Sequence, residues 1–61
     1  MKVKITINLE NDAFADGNTG DEVARILQKL ASKMHGLRIT KGDDIDLRDI
    51  NGNTVGEFRV R

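Results

Sequence analysis

The chain has 61 residues, its 10 basic and 10 acidic side chains cancel, and it contains no cysteine, proline, tryptophan or tyrosine. Zero net charge argues against a strongly basic nucleic-acid binder, and the missing cysteine excludes a disulfide framework and a thiolate metal site. The scarcity of aromatics argues against a platform on which single-stranded bases stack.

The length fits one small domain, residues 1–61. A chain of this size buries only about 60% of its unfolded surface, and small domains without disulfide or metal staples often gain stability by oligomerising. No apolar run is long enough to span a bilayer and no signal peptide is evident, so a soluble protein of the host-cell cytoplasm is expected.

Residues 2–9, KVKITINL, alternate Val3, Ile5, Ile7 and Leu9 with polar residues, the period of a half-buried strand. Residues 10–20 form a polar loop with one large apolar residue, Phe14, expected to tuck against the core. The run from Asp12 has aspartates and a glycine at calcium-loop positions. It carries Phe14 and Val23 where the third and twelfth ligands belong, so no metal is expected there.

Residues 19–36, TGDEVARILQKLASKMHG, place Val23, Ile26, Leu27, Leu30, Ala31 and Met34 at helical spacing, an apolar arc of about 140°. Thr19 and Glu22 have the spacing of a capping box, Asp21 and Glu22 sit at the positive end of the helix dipole, and Gly36 suits a left-handed stop. Arg25, Lys29 and Lys33 form a cationic stripe, either a solvated face or a contact for phosphates or an acidic partner. The lone His35 lacks the neighbours of a catalytic or metal site and reads as an exposed helix-end residue.

Residues 37–44 read either as a short strand or as an extended connection. Residues 45–61 form a hairpin about Asn51-Gly52. A two-residue turn sets Ile50 opposite Asn53, Leu47 opposite Gly56 and Ile45 opposite Phe58, and gathers Ile45, Leu47, Phe58 and Val60 on the buried face; a bulge at Gly56 would modify this. The other face then carries Asp46, Arg48, Glu57 and Arg59, with Ile50 and Val55 as an apolar pair near the turn.

These elements make an α+β fold, a two-layer β-α-β-β domain with one amphipathic helix on a small sheet and a C-terminal hairpin. The first strand is expected either to pair in parallel with a hairpin strand or to sit on an edge. Charge is segregated along the chain: Arg25, Lys29, Lys33, Arg38 and Lys41 lie in residues 21–41, and Asp43, Asp44, Asp46 and Asp49 in residues 43–49. Such a dipole suits self-association or partner binding.

The segments GDEVARILQKLA and LRDINGNTVGEF together resemble a group of short proteins encoded in bacteriophage and prophage genomes, over roughly residues 14–60. The group carries no assigned activity, so the resemblance implies a small phage accessory protein and transfers no functional residue. No catalytic constellation is visible, and neither an enzyme nor a cofactor is expected. The expected function is protein binding, by a homodimer that inhibits or modulates a host protein such as a defence protein. The expected contact residues are Ile50, Val55, Arg48, Arg59, Arg25, Lys29 and Lys33. The alternative is an accessory nucleic-acid binder that uses the basic helix stripe.

Overall fold

The computed structural model describes residues 1–61. Strand β1 (Val3–Ile7) is followed by one 3-10 turn (Asp12–Phe14), helix α1 (Thr19–Met34), strand β2 (Asp44–Arg48) and strand β3 (Thr54–Val60). The sheet order is β1-β3-β2, with β3 antiparallel to both neighbours. Strands β1 and β2 therefore run parallel to each other with β3 inserted between them. The α+β reading of one helix on a sheet with a C-terminal hairpin holds. Of the two placements expected for the first strand, the structure shows the edge and not parallel pairing: β1 is an edge strand whose only partner is the antiparallel β3.

Helix α1 stops where its composition ends it. Gly36 takes φ +72° beyond the last turn, and the Leu37 N–H donates to the Met34 carbonyl. Its start differs from a capping box. Asn18 is the N-cap, the Thr19 hydroxyl donates to the Phe14 carbonyl at 2.6 Å, and Glu22 turns inward. Residues 37–43 form no strand. They make a connection closed by Asp43, whose carboxylate accepts from the Thr40 N–H and hydroxyl.

The core is Phe14, Ile26, Leu30, Leu47, Val55, Phe58 and Val60. Phe14 fills one end of it, as an anchored loop residue should. Pairing sets Ile45 opposite Phe58 and Leu47 opposite Gly56, but the register shifts by one residue at Leu47/Arg48, so that Arg48 faces Thr54. Val55 is the extra residue. A bulge reverses the alternation beyond it, which turns Val55 into the core, where it is buried.

Gly56 is required by close approach, not by its φ. A Cβ there would lie 1.9 Å from the Thr6 carbonyl oxygen and 2.9 Å from Ile7 Cα. Any side chain at this position pushes β1 away from β3. Gly56→Ala is expected to destabilise the fold by about 2 kcal/mol or more in urea unfolding. Gly20→Ala, which meets no atom within 4 Å at the start of α1, is expected to be neutral or to stabilise by about 0.5 kcal/mol.

Candidate functional site

Two carboxylates set the geometry at the turn end of the molecule. Glu22, Ile26 and Leu30 repeat every four residues on α1, so Glu22 occupies the buried stripe, and its side chain is only 6% exposed. It receives the Arg25 guanidinium through Nε at 2.6 Å and Nη2 at 3.2 Å, and accepts the Ile50 N–H at 2.8 Å. The hydrogen bond from Arg25 dominates and holds the Glu22 carboxyl below its ordinary pKa. Burial opposes this, and the Ile50 N–H adds to it. Arg25 is correspondingly held more firmly protonated by Glu22, and its Nη2 also donates to the Arg48 carbonyl at 3.1 Å.

Asp49 is the second buried carboxylate. Burial pushes its pKa up, but donors outweigh it: the N–H groups of Asn51 and Asn53, both at 2.9 Å, and the side-chain amides of Asn53 and Asn11. The net shift is downward. Its bonds to the amides two and four residues on make an Asx-type turn, closed by the Gly52 N–H donating to the Asp49 carbonyl. No buried side-chain nitrogen or oxygen lacks a partner.

These bonds decide which expected contact residues are free. Arg25 is committed to Glu22 and to the hairpin backbone. Val55 belongs to the core and is not a surface residue. Arg59 pairs with Glu57 at 2.8 Å on the open sheet face, away from α1. Ile50 is held by its backbone on a pinned turn and stays 67% exposed. Arg48 donates to the Gly52 carbonyl and lies 4.0 Å from Asp46.

Lys29, Lys33 and Arg48 line one groove between α1 and β2, together with Asp46, the one carboxylate at its rim. Its apolar floor is Ile26, Leu30, Ile45 and Leu47, and it encloses about 70 Å³. The groove runs along the outer edge of β2. The Val60 N–H donates to the Asp43 carbonyl, so odd-numbered residues of β2 bond to β3, and Asp44 and Asp46 turn their backbone groups outward. An edge strand beside a helix is the geometry that accepts an added extended segment. The expected set thus divides: Lys29, Lys33 and Arg48 come together, with Ile50 at the next turn, while Val55, Arg25 and Arg59 do not join them.

Glu22 and Asp49 were not among the expected site residues, yet both had a signal: Glu22 its place in the stripe with Ile26 and Leu30, Asp49 its spacing to Asn51 and Asn53. No helix is long and apolar enough to cross a membrane. No protein-family model matches the chain, and no curated protein or solved structure matches it.

Both buried carboxylates have lowered folded-state pKa values. Each therefore contributes stability that is full at neutral pH and is lost as pH falls below about 4, toward the folded-state pKa. Thermal unfolding should show a drop in midpoint between pH 5 and pH 3. Glu22→Gln should lower the midpoint at pH 7 and flatten that acid dependence.

Proposed function

We propose that the chain is a small phage-encoded accessory protein that acts by binding another protein, as an inhibitor or modulator of a host protein such as a defence protein. The α1–β2 groove carries this reading: Lys29 and Lys33 flank an apolar floor beside a strand edge. That combination suits an extended segment whose helix-facing side chains include apolar groups for the floor and carboxylates for Lys29 and Lys33. Main-chain bonds to the β2 edge supply affinity, and the lysines supply selectivity and rate. Ile50, presented on a turn fastened by Glu22 and Asp49, is the apolar anchor at the rim. The resemblance to short phage proteins supplies the biological setting.

The nucleic-acid alternative is weakened by one contact. Arg25 is neutralised by Glu22, so two free cations remain of the three-residue stripe.

Tagged protein should capture a partner from bacterial lysate, and the capture should survive nuclease. Lys29→Glu with Lys33→Glu, and separately Ile50→Asp, should each reduce it at least about tenfold, with circular dichroism unchanged. A capture that disappears with nuclease transfers the reading to nucleic acid.

A further inference from the structure

The second edge of the sheet is built differently from the first. Val3, Ile5 and Ile7 pair with Val60, Phe58 and Gly56, so they share the face that carries α1. Yet Val3 is 47% and Ile5 44% exposed. The reason lies in where α1 sits. Its Lys29–Lys33 flank lines the groove with β2. Leu27 is turned about 160° round the helix from Lys29, so it lies on the flank toward β1, and it too is 39% exposed. The helix covers β2 and β3 and leaves an apolar shelf along β1.

The shelf borders a free strand edge. Lys2 and Arg61 exchange both backbone hydrogen bonds, so even-numbered residues of β1 bond to β3. Val3, Ile5 and Ile7 therefore direct their N–H and C=O groups outward, toward no partner. The accessible surface of the chain is 4475 Å², against about 4,000 Å² expected for a compact monomer of this mass. Its radius of gyration is 12.1 Å, against about 10.5 Å expected. The molecule leaves open more surface than its size requires.

We propose that two copies of this chain pair through the β1 edge, antiparallel, with Ile5 on the two-fold axis, to form one continuous six-stranded sheet. The pattern about Ile5 is self-complementary. Val3 meets Ile7 of the partner copy and Ile5 meets its own counterpart, so all outward backbone groups of the five-residue strand are satisfied. Lys4 faces Thr6 and Lys2 faces Asn8, so no lysine opposes a lysine.

Centring the pairing on Lys4 would set like charges face to face. Centring it on Thr6 would need residues 8–10 to stay extended, whereas the Glu10 N–H turns back to the Asn8 side chain. The chosen axis stands perpendicular to the sheet. Both helices then lie on one side, and Val3, Ile5 and Leu27 of each copy close over the shared shelf. The β2 edges cannot pair in this way. They carry Asp44 and Asp46, and the Arg25 side chain occupies the Arg48 carbonyl.

This inference does not depend on the groove reading, and its test leaves that groove untouched. The native chain has no cysteine, so one introduced thiol reports on one position. Directly opposed residues of a hydrogen-bonded antiparallel pair have Cα atoms about 5.5 Å apart, within disulfide range. Sedimentation of the unmodified protein should give twice the 6.8 kDa chain mass. Under mild oxidation Ile5→Cys should form a covalent dimer at least about tenfold faster than Thr6→Cys, which faces Lys4 and not itself.

Ile5→Lys should weaken dimerisation at least about tenfold, by an edge charge of the kind that blocks strand pairing. Leu37→Lys, at a comparably exposed aliphatic outside the groove and outside β1, should leave dimerisation unchanged. Because Ile5→Lys could unfold the chain, amide exchange on the unmodified protein is the second readout. The Ile5 and Ile7 amides should become more protected as protein concentration rises. A monomer at millimolar concentration, equal coupling at positions 5 and 6, or assembly that grows past the dimer, as head-to-tail pairing of β1 with β2 would give, overturns the proposal.

Discussion

The fold depends on the bond between the Glu22 carboxylate and the Ile50 N–H at 2.8 Å. It is the point where the first turn of α1 is fastened to the hairpin. Without it and the Arg25 bond to the Arg48 carbonyl, the helix would rest on β2 through apolar contact alone, which is non-directional and tolerates sliding. A buried carboxylate with fixed donors does not tolerate sliding, because displacement strips a charge of its partners. Arg25 answers the charge from the same helix and reaches the Arg48 carbonyl. One side chain thereby neutralises Glu22 and supplies a second tie to the hairpin. Asp49, next to Ile50 in sequence, holds the turn from inside and takes the Asn11 amide from the loop before α1. Helix start, loop and turn meet at two carboxylates in a chain too small for a large core.

The same constraint explains which parts of the structure could be read from residue order. Helix periodicity, the Gly36 stop and the Ile45–Phe58 and Leu47–Gly56 pairs follow from local patterns, and local patterns are what a sequence displays. The turn departs from the two-residue loop that Asn51-Gly52 invites. In the folded chain the Asp49 carboxylate captures the amides of Asn51 and Asn53 and lengthens the turn. The extra residue then has to be absorbed in β3, and the bulge sends Val55 to the core. Glu22 departs from the capping-box geometry for a related reason. Near a helix start, Thr and Glu three apart fit a capping box, and what diverted the carboxylate was a long-range partner 28 residues away.

The candidate site divided along the same line. Lys29 and Lys33 were legible as neighbours because a helix fixes them locally, and Arg48 joined them only through the packing of α1 on β2. Arg25 looked equivalent to the two lysines in the stripe. Its difference is that Glu22 sits three residues before it, within reach of its guanidinium. Strict alternation puts Arg59 and Val55 on a shared open face. The bulge separates them, leaving Arg59 with Glu57 on the solvent side and Val55 in the core.

The two edges of the sheet now have distinct characters, and the asymmetry comes from one packing choice. A single helix cannot cover three strands. By tying its first turn to the β2–β3 hairpin, α1 is drawn toward β2, and the exposed apolar cost falls on β1. The β2 edge carries Asp44 and Asp46, with Asp44 further held by Arg61 at 2.9 Å, and a β2–β2 pair about Asp46 would set like charges face to face, so this edge resists its own copy while staying open to a segment without carboxylates on that face. The β1 edge has lysines only on the far face and aliphatic residues on the near one. An unguarded edge of this composition is a liability in a monomer, because it can template non-specific pairing. In a symmetric pair it is consumed by its own copy, and closure of the two-fold leaves the acid-guarded β2 edges as the ends of the sheet. The bond from Glu22 to Ile50 thus reaches across the molecule: by deciding where the helix lies, it decides which edge is left to associate.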